Sequence, residues 1–209
     1  MSSSPTYLDP VVIPLIRGDT VLDVACGYGR WGNLIQSNFW EAGLKQPPLI
    51  DGLDAFQPNV DYCLRHTAYR KVWQQALPGA LPGRWDTILA CEILEHLPPE
   101  SVPEVIATIE KHANQRVIFS TPNWPYFRDG GETMVGFNQY EAHLSFTPVK
   151  VFKKLGYKVI TVGFGNPRNI VVRLLNRLRI RPPLASMETF VRLFPSLGQA
   201  MVAYKDIGP

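Results

Sequence analysis

Apolar positions along the chain fall into two recurring textures. Short apolar runs at 20–25, 49–54, 69–73, 85–91, 115–121, 157–163 and 198–204 predict strands. Between them, apolar residues spaced three and four apart predict helices over 8–17, 30–42, 57–66, 100–113, 147–155 and 168–180. Thr147-Pro148 predicts a helix start and Gly156 a stop. Strands alternating with helices predict an α/β domain, a parallel sheet with helices on both faces. The stretch 122–142 breaks the pattern with Pro122, Pro125, Gly130, Gly131 and Gly136. A loop that long inside a compact domain predicts a binding segment. Its Trp124, Tyr126, Phe127, Phe137 and Tyr140 either line an apolar pocket or tether the loop to the core.

Composition narrows this further. With 209 residues, 45% of them hydrophobic, the chain can bury one sizeable core, so residues 1–209 are expected to form one domain. No apolar stretch is long enough to cross a bilayer. Met1-Ser2-Ser3-Ser4-Pro5 lacks the basic and apolar parts of a signal peptide. Cys26, Cys63 and Cys91 are an odd set without metal spacing, which fits a reduced cytoplasmic setting.

The net charge of +3 is unevenly placed. Residues 168–192 carry six Arg and one Glu, net +5, leaving 15 basic and 17 acidic residues elsewhere. The chain as a whole therefore does not read as a nucleic-acid binder. Ile170, Val171, Leu174, Leu175 and Leu178 share one face of the predicted 168–180 helix, with Arg168, Arg173, Arg177 and Arg181 largely on others. Three readings compete: a core-packed helix with a solvated Arg rim, a peripheral contact through 168–181 with an anionic membrane, or an acceptor lid or dimer contact. Pro182-Pro183 would end the helix, making about 166–196 a basic amphipathic insertion before the last strand.

The chemistry begins at residues 20–32, TVLDVACGYGRWG. An apolar strand that ends in glycines lets the backbone approach a bound nucleotide closely. Gly27, Gly29 and Gly32 also spell G-x-G-x-x-G, so a nicotinamide-dependent oxidoreductase is a competing reading. Asp23, inside the strand and four residues before Gly27, resembles motif I of the class I S-adenosylmethionine-dependent methyltransferases. That resemblance covers roughly residues 15–165. It implies a Rossmann-like, seven-stranded, mostly parallel sheet whose last strand is antiparallel.

The resemblance assigns S-adenosylmethionine as cofactor. Asp23, Ala25, Gly27 and Gly29 would position its methionine end. In Leu49-Ile50-Asp51-Gly52-Leu53-Asp54-Ala55, Asp54 would accept hydrogen bonds from the ribose hydroxyls, with Asp51 as the alternative. Phe56, after Ala55, would cover an adenine face. Gln75, beside Ala76, stands where the family often places an acid for the adenine amino group. Glu92 follows the fourth strand, near the methionine moiety.

Glu92-Ile93-Leu94-Glu95-His96 places Glu92, Glu95 and His96 on one face if the segment turns helically, and His143 follows later. This E-x-x-E-H…H arrangement, with Ser120-Thr121-Pro122-Asn123, resembles ubiquinone-pathway O-methyltransferases and small-RNA 3′-terminal 2′-O-methyltransferases. It implies a divalent cation on Glu92, Glu95, His96 and His143 that holds the acceptor. Alternatively, His96 packs beneath the cofactor loop and His143 acts alone as a base or caps carbonyls. His143, Glu95 and His96 are the expected catalytic residues either way. The implied reaction is O-methylation of a small-molecule, glycan or lipid-linked hydroxyl, in the cytoplasm or peripherally at a membrane. RNA-terminus methylation and a non-catalytic cofactor-binding partner protein remain alternatives.

Overall fold

The structure is a computed structural model describing residues 4–41, 46–180 and 184–208. In chain order its elements are α1 (Asp9–Val12), β1 (Thr20–Val24), α2 (Arg30–Glu41), β2 (Leu49–Asp54), α3 (Gln57–His66), β3 (Lys71–Gln74), β4 (Trp85–Cys91), α4 (Val102–His112) and β5 (Ala113–Pro122). They continue as β6 (Gly131–Thr133), β7 (Gly136–Asn138), α5 (Val149–Lys154), β8 (Lys158–Phe164), α6 (Ile170–Arg177), α7 (Leu184–Leu193) and β9 (Gly198–Asp206).

Seven strands form one sheet in the order β3-β2-β1-β4-β5-β9-β8. β1 pairs in parallel with β2 and β4, and β5 with β4. β9 enters antiparallel between β5 and β8. This is the mostly parallel sheet with an antiparallel last strand that the resemblance implied.

Period-two alternation assigns every strand residue to a face. Leu22, Val24, Ile88, Ala90, Val117 and Phe119 join Val105 and Ile109 of α4 and Phe152 of α5 in one core. Val21, Ile50, Leu89, Cys91 and Ile118 join Leu8, Val12, Trp31 and Ile35 in the other. The same alternation separates the two acids of β2. Asp51 points to the α4 side, where it accepts from Trp85 Nε1 at 2.8 Å and pairs with Arg70. Burial works against its charge, yet these partners hold its carboxyl below the usual range.

The structure corrects several expectations. The helix expected over 8–17 is three short turns, Thr6–Leu8, α1 and Ile13–Leu15. Pro14 interrupts it, having no N–H to extend the ladder. The 122–142 stretch contains a two-stranded ribbon, β6 paired with β7. A further helix, α7, follows α6 and covers β8, where Thr161 Oγ1 donates to Val191 O at 3.2 Å. Residue 42 of the expected 30–42 helix, Met1-Ser2-Ser3, Arg181 and the Pro182-Pro183 break lie outside the described residues.

The apolar stripe of 168–180 is packed only in part. α6 anchors through Val172 against Val191 and Leu197, while Ile170 is 78% and Leu174 55% exposed.

Replacing Asp51 with Ala leaves the Trp85 indole N–H buried and unpaired. The expected loss is about 1–3 kcal/mol of unfolding free energy in urea titration; an unshifted midpoint contradicts the role given to this network.

Candidate functional site

At the carboxyl end of β1 the chain makes a left-handed turn: Ala25 has φ 59°, Gly27 56° and Gly29 76°. Such a conformation is uncommon for Ala and marks a position fixed by its surroundings. Cys26 N donates to Leu53 O at 2.9 Å, and Gly27 N donates to Asp54 Oδ2 at 2.9 Å. The other oxygen, Asp54 Oδ1, accepts from Phe56 N at 2.9 Å. Cys63 Sγ of α3 donates to Gly27 O at 3.2 Å, and Cys26 Sγ lies 4.0 Å from Cys63 Sγ. Burial raises the Asp54 carboxyl, partly offset by the two backbone donors.

Beside this turn opens a cavity of about 320 Å³. Ala25, Gly27, Asp54, Ala55, Gln75 and Glu92 stand in its wall, drawn from the ends of β1, β2, β3 and β4. Its apolar lining includes Ala76, Leu77, Ile93 and Leu97. β1 and β4 are adjacent, with the chain winding outward in both directions from them. Open α/β sheets bind ligands at that crevice.

Three expected cofactor contacts, Asp23, Gly29 and Phe56, lie outside the cavity wall. Asp23 stands behind the wall, accepting from Tyr69 O–H at 2.5 Å, and its Oδ1 is buried without a partner. Gly29 and Gly32 also serve Tyr69: a Cβ on Gly29 would meet Thr67 at 2.4 Å, and one on Gly32 the Tyr69 ring at 2.5 Å. These glycines bring α2 close to the loop before β3. Phe56 contributes its backbone N–H to Asp54, and its ring is not in the cavity wall. Gln75 reaches the wall, but its Oε1 accepts from Trp73 Nε1 at 2.8 Å and its Nε2 donates to Ala80 O. Asp51, on the opposite sheet face, is excluded from the cavity.

The second half of the site gathers residues far apart in sequence. Glu92 has φ 55°, and its Oε1 accepts from Ser120 Oγ at 2.8 Å. Glu95 and His96 sit in the short turn Leu94–His96. Leu144 N and Ser145 N donate to Glu95 O at 2.7 and 3.0 Å, fastening the 142–147 segment over this turn. His96 Nδ1 lies 3.0 Å from Ala142 O, and His143 Nδ1 lies 3.1 Å from Tyr126 O. A carbonyl only accepts, so each ring carries its proton on Nδ1 and keeps a lone pair on Nε2.

Burial and the neighbouring His96 lower His143 to about 4, and burial lowers His96 as well. Both rings are therefore neutral near pH 7. Burial raises Glu92 to about 6; burial, then the Glu92 charge, raises Glu95 well above the usual carboxylate range. Glu95 Oε2 accepts from Thr121 Oγ1 at 3.1 Å, while Oε1 is buried and unpartnered.

Ligand atoms of Glu95, His96 and His143 lie within 4.8 Å of one another. Two neutral imidazoles and a carboxylate form a donor set suited to a divalent transition metal, and the orphaned Oε1 fits the same purpose. Glu92 stands outside that cluster, a correction to the four-ligand expectation. Among the five loop aromatics only Tyr140 lines the cavity. Phe127 and Phe137 are exposed, and Trp124 and Tyr126 continue a chain of ring contacts that reaches His143.

Sequence reasoning passed over Ser4, Arg30, Tyr69 and Asn138. Ser4, Arg30 and Asn138 line the cavity, and Tyr69 holds Asp23. The literal G-x-G-x-x-G run could have flagged Arg30. Nothing in spacing alone signals the others.

A family model described as a methyltransferase domain matches residues 8–162. A ubiquinone biosynthesis O-methyltransferase of Chromobacterium violaceum is 31% identical over 116 residues, covering 52% of this chain and 46% of that protein. The chain thus spans about half the length of the curated relatives it matches. Among solved structures, the methyltransferase domain of bacterial CtHen1 superposes with a TM-score of 0.54 at 15% identity, covering 95% of each chain. Magnesium protoporphyrin IX methyltransferase from Synechocystis, solved with bound S-adenosylhomocysteine, gives 0.53 at 16%, covering 95% of this chain and 78% of that one. At such identity these structures speak for the fold.

Burial raises Asp23 from 3.8 to about 7, with the Asp54 charge adding to it and the Tyr69 bond opposing it. The native state therefore keeps this proton above the pH at which the unfolded chain releases it. The stabilisation is full below about pH 4 and lost as pH rises through about 7. Asp23→Asn should flatten the fall in urea midpoint across that window; an unchanged slope contradicts the assignment.

Proposed function

The chain belongs to the methyltransferase-domain family, and on that premise we propose that it transfers a methyl group from S-adenosylmethionine to a hydroxyl oxygen of a small-molecule or lipid-linked acceptor. One observation carries the reading: a buried carboxylate, Asp54, is fixed to the glycine turn in the wall of a cavity that His96 also lines, and ligand atoms of Glu95 and His143 lie within 4.8 Å of those of His96. A nicotinamide-dependent oxidoreductase has no support in this family membership.

A carboxylate offers about four acceptor sites. Gly27 and Phe56 N–H groups and the Asn59 side chain take three on Asp54, which leaves one for the ribose diol. The turn at Ala25 and Gly27 and the backbone at Ala55 and Ala76 border the nucleoside, with Leu77, Ile93 and Leu97 offering apolar contact. Glu92 faces the same cavity, where a carboxylate complements a sulfonium cation. Methyl transfer is an in-line displacement, so binding and alignment supply much of the acceleration.

At the acceptor side, a ring held near a pKa of 4 is a weak proton acceptor at neutral pH. The arrangement supports a ligand role for His143, His96 and Glu95 better than a lone-base role. A divalent cation held there would lower the pKa of an acceptor hydroxyl. Thr121 and the carbonyls of Ala142 and Tyr126 orient the three side chains.

The test is calorimetry with S-adenosylhomocysteine, together with transfer of labelled methyl to a panel of phenolic, lipid-linked and RNA-terminal hydroxyls. Asp54→Ala is expected to weaken binding by at least about tenfold, while Asp51→Ala leaves it within about twofold. His143→Ala should leave cofactor affinity intact and cut transfer by about 100-fold or more, with wild-type transfer lost to chelator and restored by added cation. Binding without transfer to any acceptor contradicts the catalytic reading. Transfer confined to RNA ends moves the acceptor class.

The α6 surface supports a second contact. Ile170, Val171, Leu174 and Leu178 are exposed beside Arg173 and Arg177, an apolar stripe flanked by positive charge that matches an anionic lipid surface. No described helix is long and apolar enough to cross a membrane. Sedimentation with phosphatidylserine vesicles should exceed that with phosphatidylcholine vesicles and fall on Leu174→Asp. Equal recovery with both lipids contradicts it.

A further inference from the structure

The β6–β7 ribbon joins the cavity wall to the glycine turn. Asn138, at its root, and Tyr140, just beyond, line the cavity, and Asn138 Oδ1 accepts from Tyr140 N at 2.9 Å. At the tip, Met134 N donates to the Tyr28 hydroxyl at 2.8 Å, and Tyr28 stands between Gly27 and Gly29. The Tyr28 ring is braced edge-on against Tyr62 of α3, with centroids 5.5 Å apart. Past the root, His143 N donates to Arg128 O at 2.8 Å and Arg128 pairs with Glu141, which closes the base of the excursion.

The ribbon itself is weakly held. None of residues 131–137 belongs to a hydrophobic core, and Met134 and Phe137 are exposed. Among the described residues, no hydrogen bond other than the one to Tyr28 runs from 131–137 to the rest of the chain. The others are internal: the β6–β7 ladder, and Thr133 Oγ1 donating to Gly136 O at 2.6 Å. A two-stranded hairpin alone is marginally stable in water, so its position depends on where it is tied.

The turn is the firmer anchor, because Gly27 is held at its N–H by Asp54 and at its carbonyl by Cys63. Gly27 and Asn138 both border the cavity, so a ligand filling it touches turn and ribbon root together. Such a ligand favours the arrangement in which tip and turn are joined. By linkage, that arrangement retains the ligand. We propose that the ribbon is a strap over the cofactor and that Tyr28 is the positioning residue that latches it. Bound cofactor closes the strap, and the closed strap slows cofactor release. This inference rests on the S-adenosylmethionine reading of the cavity and deepens it.

The test uses the full chain with S-adenosylhomocysteine as the probe. Amide exchange followed by nuclear magnetic resonance should show Met134 N–H gaining protection of about tenfold or more when the probe is added. Tyr28→Phe keeps the ring against Tyr62 and removes only the oxygen that accepts from Met134. It should abolish that gain, leave exchange in β1 and β4 unchanged, and speed probe dissociation in stopped flow by about fivefold or more. Gly136→Ala acts on the strap without touching the turn: Gly136 has φ 111° with open space around it, so a Cβ there strains the ribbon's own bend. It should speed dissociation as well.

Met134 exchange that ignores the probe overturns the strap, as does release from either variant at the wild-type rate. Wild-type protein that gives no binding heat with the probe overturns the cofactor reading and this inference together. Binding heat with an unchanged ribbon overturns the strap alone.

Discussion

The bond from Gly27 N–H to Asp54 Oδ2 is the constraint around which the site is built. It ties the turn after β1 to the end of β2, across two parallel strands already in register. The Cys26 N–H bond to Leu53 O repeats the link one residue earlier. With Phe56 N–H on the second oxygen, the carboxylate is fixed in orientation before any ligand arrives. A preorganised acceptor loses less on binding than one that must first be ordered. The turn in exchange holds Ala25 in a left-handed conformation, local strain of the kind that surrounding structure must outweigh.

Around this bond the electrostatics have one sign. Burial raises the proton affinity of Asp23, Asp54, Glu92 and Glu95 together. A cluster of acids kept away from water favours protons or another positive group. A sulfonium with an ammonium nearby is such a group, and Arg30 in the same wall carries a positive charge of its own. The two histidines, each neutral and each fixed by a carbonyl, add lone pairs without adding charge.

The fold was largely readable from the chain. Seven apolar runs gave the seven strands of the main sheet within a few residues, and the signal is most continuous where central strands are buried on both faces. The miss at β6 and β7 is intelligible: arms of three residues are too short to show alternation. α7 carries Thr189, Phe190 and Val191, types with weak helix preference, and its helix is supported by packing on β8 instead. Asp54 was legible as the end of an apolar run, and period-two alternation explains why Asp51, three residues earlier, faces the opposite core. The glycines were harder. Their identity signals close approach, but only coordinates distinguish Gly27, which faces the cavity, from Gly29 and Gly32, which make room for Tyr69. The meeting of His96 with His143 depends on backbone bonds from Leu144 and Ser145 to Glu95, and no local pattern encodes it.

The most direct test of this account is a crystal structure of the chain with S-adenosylhomocysteine. It should place both ribose hydroxyls within hydrogen-bonding distance of the Asp54 carboxylate, with the sulfur facing the cluster of Glu95, His96 and His143. A nucleoside lying elsewhere, or a ribose whose hydroxyls turn away from Asp54, would contradict it.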